Sequence, residues 1–414
     1  MRPTIHILPL YIGVLKYFER LLPYFEKKYA VSFVLLTRED GDGPVKKEQE
    51  MARYCEEKGY SYFILNEGMR KTPIRIPFFT PIKKRYEHRN ACRKFLNSHR
   101  PVKVITSKAR NPHHTFLREA ERLGVETIIL QWSFGGVMDK SIYNKPSASA
   151  GLFQKLYSRT LEKCAVAIDT ARGDVEYDTT AVIPRKIGLI DELQDVKRYA
   201  DSYNPQSISI VGSADIQIAY DLKNHAESDI LFKKNLYHKY SLDPRKATIL
   251  VIPFRFHSHW YNSGMREKEQ SDHWLGIVKN IKAVYRQEEL NLVIKIHPSD
   301  QERIYAPLRA EGIHVLKNAF LEEVLAITDL CITDPFTTAN YMVLGSNVHA
   351  IFINFSTLKL ETGMPYYHIL RTVNDREEFI EMVRRFKQGA LEKQYDNSSV
   401  EMRSIEKIVS FLGQ

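Results

Sequence analysis

Short apolar runs alternate with segments of helical period along nearly the whole chain, and that alternation leaves few architectures open. IHILPL (5–10) is followed by a stripe at Val14, Leu15, Phe18, Leu21, Leu22 and Phe25, which keeps the i, i+3, i+4 spacing of one helix face. Then come VSFVLLT (31–37), YFIL (62–65), VKVITS (102–107), ETIILQW (126–132) and AVAIDT (165–170), most of them separated by ten or more residues of helical pattern. Several runs are continuously apolar rather than alternating, as expected of strands in a parallel sheet covered by helices on both faces. The pattern restarts at TILVIPF (248–254) and continues through NLVIKIHP (291–298), DLCITD (329–334) and HAIFINF (349–355), with helical segments near 272–286, 302–311, 320–327 and 337–344. An irregular stretch, 172–206, lies between the series and carries Gly173, Pro184, Gly188 and Pro205. Two successive βαβ series predict an α/β protein of two doubly wound, Rossmann-like domains facing a cleft. The boundaries are 1–205 for the first domain with its linker, 206–397 for the second, and 398–414 for a last helix that can cross back to the first.

Composition narrows the class. At 414 residues, two domains are the natural count. Hydrophobic residues at 43% and charged residues at 27% exclude a disordered chain. No apolar run approaches the roughly 18–20 residues of a membrane-spanning helix, and Met1–Leu15, broken by Pro3 and Pro9, reads as a first strand rather than a signal peptide. Cys55, Cys92, Cys164 and Cys331 are far apart, so neither a zinc site nor a disulfide framework is expected. A cytoplasmic protein is the expectation.

The charge is unevenly placed. Of the net +10, the segment Met69–Lys94 supplies +8, with nine basic residues against Glu87. Such a patch predicts one localised anionic partner rather than general coating of nucleic acid. Ile74, Ile76, Phe78, Phe79, Ile82 and Tyr86 interleave with the charges, and Pro73, Pro77 and Pro81 keep the first half out of helix. A solvated loop and basic helix is the plain reading. The functional reading is a platform for an anionic acceptor or for the membrane surface that displays one, with Lys83, Lys84 and Arg85 as contacts.

In open α/β sheets ligands sit beyond the carboxyl ends of the strands, so the loops after strands are the places to look. After 291–296 comes His297-Pro298-Ser299-Asp300, preceded by Lys295; after 329–333 comes Asp334-Pro335-Phe336-Thr337-Thr338-Ala339-Asn340, opening a helix. A hydroxyl pair there caps the helix in most proteins, and the same open N–H groups also bind phosphate. Arg255-Phe256-His257-Ser258-His259-Trp260 follows the first strand of the second series, and Arg110-Asn111-Pro112-His113-His114 follows strand 102–107. His257 and His259 could face one way, yet no third metal ligand lies near, and a metal site is not expected. Glu39-Asp40-Gly41-Asp42-Gly43 reads as a solvated turn. GxGxxG after a strand, GxxxxGK[ST], GxSxG and HExxH are all missing.

The string LVIKIHPSD, followed some forty residues on by LCITDPFTTANYMVLGSNVHAIFINF, resembles the second domain of GT-B glycosyltransferases. The likeness is to the group of CDP-glycerol glycerophosphotransferases, bacterial polysialyltransferases and capsule polymerases. Their His-Pro after one strand and Ser/Thr pair after a later one fall on His297-Pro298 and Thr337-Thr338, with Gly345-Ser346-Asn347 before the next strand. The passage 212–254 also resembles the interdomain region of such enzymes. The likeness covers 205–360; the first domain matches in overall pattern only. Where the polyol-phosphate polymerases have a His-Gly pair, this chain has Gln131-Trp132-Ser133-Phe134-Gly135-Gly136. The acidic pair before a glycine of the polysialyltransferases has its letters in Glu39-Asp40-Gly41, but too early in the chain.

The resemblance implies a metal-independent, cofactor-free transferase with a CMP-, CDP- or UDP-linked sugar donor and an anionic saccharide or lipid-linked acceptor. The donor phosphate would be held by Lys295, His297, Pro298, Thr337, Thr338 and Arg255. The acceptor hydroxyl would be deprotonated from the first domain, by His113 or His114, with Asp139 and Glu39/Asp40 behind them, at the inner face of the membrane. A UDP-N-acetylglucosamine 2-epimerase-like enzyme shares the architecture and the post-strand His-Pro, although acidic residues are usual where this chain has TTANYM. A non-enzymatic RNA-binding protein is a third reading, but no nucleic-acid module or stacking platform is present, and no nucleic-acid partner is expected.

Overall fold

The computed structural model describes residues 2–36, 47–65, 80–107, 113–132, 185–190, 205–253, 267–297, 300–335, 337–355, 369–396, 398 and 400–413. The described residues fall into two compact units. The first lies within Met1–Trp132, Ser147–Val211 and Ile405–Gln414, and the second within Gly212–Ser404.

The first unit is built on β1 (Thr4–Leu8), β2 (Ala30–Leu36), β3 (Tyr62–Leu65), β4 (Lys103–Thr106), β5 (Glu126–Leu130), β6 (Lys186–Leu189) and β7 (Ile208–Ile210). All pairs are parallel, in the order β3-β2-β1-β4-β5-β6-β7. The first strand therefore sits inside the sheet, and the chain winds outward from it on both sides. Its register, Ile5 beside Val31 and Lys103, puts Ile5, Ile7 and Leu8 wholly out of water, because helices cover both faces. His6 shares that fate. Its ring packs on Phe95, Phe63 and His99 at 5.2–5.9 Å, and neither nitrogen has a hydrogen-bond partner among the described residues. Burial, with His99 adding to it, pulls its pKa down to about 4, so it is a neutral core residue.

The second unit carries β8 (Ala247–Ile252), β9 (Leu290–Lys295), β10 (His314–Leu316), β11 (Leu330–Thr333), β12 (His349–Ile353) and β13 (Thr372–Val373). They are again parallel, in the order β10-β9-β8-β11-β12-β13. The order reverses between β8 and β11, the crevice where doubly wound sheets take ligands. Trp274, Ile277 and Ile281 of helix Glu267–Lys282 and Phe379 and Val383 of helix Arg376–Lys387 share one core with β8, β9, β11 and β12.

The stretch read as irregular, 172–206, is corrected in part: it holds β6, and β7 follows it closely. Lys-Ile-Gly-Leu and Ile-Ser-Ile are too short to announce themselves, and become strands because an existing edge supplies partners, Ile129 beside Ile187 and Ile187 beside Ile208. At Gly188 a Cβ would lie 2.9 Å from the Val211 side chain, 3.0 Å from that of Leu130 and 3.2 Å from that of Phe411, so any larger residue would have to push these side chains aside. Phe411 belongs to the C-terminal helix Ser404–Gly413, and Lys186 Nζ donates to its carbonyl at 3.4 Å. β7 carries the first unit on to Val211, past the boundary read at 205/206. AVAIDT (165–170) lies outside the described residues. No helix among the described residues is long and apolar enough to cross a membrane.

Candidate functional site

Two carboxyl-end loops of the second unit, those after β9 and β11, are described in part. Strand β8 lies between β9 and β11, so the loops that follow β9 and β11 are two strand spacings apart, about 10 Å. His297 ends the first of them and is exposed. Its carbonyl accepts from Asp300 N at 2.9 Å, and Asp300 is buried, accepting from Tyr305 OH at 2.8 Å. Gln270 Nε2 donates to Tyr305 OH at 3.1 Å, so the turn that presents His297 is anchored in the core. Pro298 and Ser299 lie outside the described residues.

Lys295, expected to contact the donor, has another task. Its ammonium is buried and donates to Ile296 O at 2.8 Å and Lys317 O at 2.9 Å, tying the ends of β9 and β10 together. Burial lowers its pKa to about 8, against the opposing pull of Glu322 and Asp300. Its two hydrogen bonds to carbonyls just past the strand ends hold the ammonium in place at the sheet's edge.

Beyond β11 the chain makes a tight turn into helix Asn340–Ser346. Thr337 Oγ1 accepts from Ala339 N at 3.3 Å, a local cap that uses the hydroxyl. Thr338 is half-buried beside it. What holds the turn is Asn340: its Nδ2 donates to Asp334 O at 3.2 Å and its Oδ1 accepts from Thr333 Oγ1 at 3.1 Å, all three residues being buried. The sequence reading passed over Asn340 and Asp334 because it looked for phosphate contacts. The signal available was an Asn six residues after an Asp across a strand-to-helix turn. Arg255, His257 and His259, after β8, lie outside the described residues.

In the first unit the matching reversal falls between β1 and β4, where Thr106 Oγ1 donates to Leu8 O at 3.1 Å. His113 opens helix His113–Arg122 with a buried ring, 1% exposed, which closes it off as a base in this conformation. His114 follows it in the helix, its side chain outside the described set. In place of the relatives' His-Gly pair, Gln131 is structural: its Oε1 accepts from Ile190 N at 2.8 Å. Trp132 meets Tyr11 edge-on at 5.6 Å, and burial pushes the Tyr11 hydroxyl up to about 12. Lys83, Lys84 and Arg85 fall in helix Thr80–His99, their side chains outside the described set, as are Glu39, Asp40 and Asp139 altogether. Among the described residues no group of three or more His, Cys, Asp or Glu could hold a metal.

No family model matches the chain, and no curated protein sequence does. Solved structures match over nearly its whole length. UDP-GlcNAc 2-epimerase from Methanocaldococcus jannaschii aligns at 12% identity and TM-score 0.58 over 99% of both chains. The wall teichoic acid polymerase TagF, in a variant soaked with CDPG, aligns at 10% identity and TM-score 0.54, over 99% of this chain and 88% of that one. The calicheamicin glycosyltransferase CalG4 aligns at 12% identity and TM-score 0.52, over 100% and 99%. At such identities the likeness speaks for the fold alone: this chain shares the two-unit α/β fold of these structures.

Proposed function

We propose that this protein is a GT-B glycosyltransferase that moves a sugar, or a polyol phosphate, from a nucleotide-activated donor to a surface-polysaccharide or glycolipid acceptor without a metal. The observation that carries the reading is the arrangement around β8: exposed His297 after β9 and the Asn340-braced Thr337–Thr338 turn after β11 flank the reversal of strand order. A single phosphorylated ligand over β8 reaches both. In sugar transfer the bond from the sugar carbon to the donor phosphate oxygen breaks, its electron pair stays on that oxygen, and the acceptor oxygen takes its place on carbon. In polyol-phosphate transfer the acceptor oxygen attacks phosphorus instead, and the nucleoside monophosphate leaves with the electron pair of the broken phosphoanhydride bond. Charge grows on the phosphate as the bond opens, so an imidazolium and oriented N–H groups there stabilise the transition state more than the ground state. The acceptor proton passes to a base on the first unit, with His114 now ahead of the buried His113. Lys83, Lys84 and Arg85 are assigned to the anionic acceptor.

Structures of UDP-GlcNAc 2-epimerases, one described as bound to UDP-GlcNAc, lend support to nucleotide-sugar binding and to a second reading, epimerisation. Incubation with a panel of CMP-, CDP- and UDP-linked donors separates the two. Transfer releases the bare nucleotide only when acceptor or water takes the sugar, whereas epimerisation gives a new nucleotide sugar with the nucleotide still attached. A panel in which no donor binds or reacts would overturn both.

A further inference from the structure

His297 is exposed, but the groups that fix it lie in the core. On its amino side Lys295 Nζ donates to the carbonyl of Ile296, the residue just before it, at 2.8 Å, and to Lys317 O at 2.9 Å. Ile296 N donates to Leu316 O at 3.0 Å. On its carboxyl side Asp300 N donates to His297 O at 2.9 Å, which closes a tight turn. Asp300 is 1% exposed, and its Oδ2 accepts from Tyr305 OH at 2.8 Å. Gln270 Nε2 donates to the same hydroxyl at 3.1 Å. Tyr305 and Gln270 are both wholly out of water.

This chain of bonds has a direction. The amide donates to the hydroxyl and the hydroxyl to the carboxylate, so each step runs towards the turn. Gln270 lies in the first turn of helix Glu267–Lys282, whose Trp274, Ile277 and Ile281 share one core with Tyr305 and Ile296. The bonds therefore tie an exposed loop to a packed helix. Apolar side chains of the same shape would hold such a core together as well. What hydrogen bonds add is a fixed length and direction. A group that acts on charge growing in a transition state must be held within about 0.5 Å of its place.

We propose that Tyr305 and Gln270 are positioning residues for His297, acting through Asp300 to hold the turn that presents its ring to the donor phosphate. The proposal rests on the reading of His297 as a donor contact, so one arm of the experiment uses no donor.

The first arm is NMR of the histidine rings in the donor-free protein, with the His297 signals identified by their loss in His297→Ala. Tyr305→Phe keeps the aromatic ring and removes the hydroxyl; Gln270→Met keeps the length and removes the amide. Each is expected to shift or broaden the His297 signals. Ile277→Val trims the same core without touching the hydrogen bonds, and should leave those signals in place even as it lowers the melting temperature. If Tyr305→Phe and Gln270→Met leave His297 unaltered, or if Ile277→Val alters it as much, the proposal is overturned, whatever the turnover.

The second arm is kinetic. Tyr305→Phe should lower kcat about tenfold or more, with donor KM changed less than about twofold. In a His297→Ala background it should lower kcat no further, because the group it positions is gone. Full additivity of the two losses would show that Tyr305 serves the fold rather than His297, and would overturn the proposal. Near-normal turnover in His297→Ala would sink the donor reading, and with it this role for Tyr305, even where NMR shows the two residues coupled.

Discussion

Gly345 lies directly against the backbone of Ile216: a Cβ on the glycine would fall inside the contact radius of the Ile216 carbonyl oxygen and 2.9 Å from both its C and Cα atoms. Helix Asn340–Ser346 thus crosses helix Ala214–Ser228 with no side chain between them at this point. The crossing sets the depth at which the turn after β11 sits. Gly345→Ala should cost about 3 kcal/mol or more of stability, because the obstacle is backbone rather than a movable side chain. Gly276→Ala is the control. Its Cβ would meet only Arg376 Nη2 at 3.4 Å, so the better helix former should gain up to about 1 kcal/mol. Urea titration of both variants decides the matter; equal effects would mean the helices can part.

Acid should destabilise the protein well before carboxylates titrate. His6 and His273 are both held near pKa 4, His6 by burial and His99, His273 by burial and Arg376, against 6.5 when unfolded. Between those values the unfolded chain holds more protons, so their contribution is complete above pH 6.5 and is lost as pH falls toward 4. For His6 the loss is roughly 3 kcal/mol. His6→Phe, which keeps a ring among Phe63, Phe95 and His99, should flatten that part of the stability–pH curve. An unchanged curve would show that His6 finds a proton acceptor when charged. Lys295 adds an alkaline arm of the same sign: with its pKa near 8 instead of 10.5, stability should rise from pH 8 to 10.5.

His297→Ala should lower turnover by about 10²–10³ with little change in melting, since an exposed loop ring supports little core. Asn340→Ala should do otherwise, weakening donor binding and stability together, because it removes bonds to Thr333 and Asp334 that shape the loop. Thr337→Ala should have a smaller effect, leaving the backbone amides in place. Donor titration followed by calorimetry and single-turnover kinetics separates these outcomes. Near-normal turnover in His297→Ala would remove that residue from the site.

Reversing Lys83, Lys84 and Arg85 to Glu should weaken use of an anionic acceptor, most at low salt, and leave donor affinity unchanged. Equal loss of donor binding would show that these side chains serve the donor or the fold. Activity should also persist in a chelator; loss with EDTA and rescue by one divalent ion would point instead to His257 and His259.

Periodicity in the sequence was enough to read the strand-helix alternation, two doubly wound units and the loops worth inspecting, because burial on both faces of a parallel sheet writes itself into continuous apolar runs such as Ile249–Ile252 and Leu292–Ile294. It could not show β6, β7, β10 or β13, whose two to four residues become strands only when a neighbouring edge offers its N–H and C=O groups. Nor could it tell which polar residues near a strand end face a ligand. Lys295 and His113 carry the right chemistry at the right positions, yet one is bound to backbone carbonyls and the other is packed away, while Asn340 holds the loop. Side-chain type is local information. Whether a group meets solvent, a carbonyl or a neighbouring ring depends on which distant segments pack over it, and only the tertiary structure decides that.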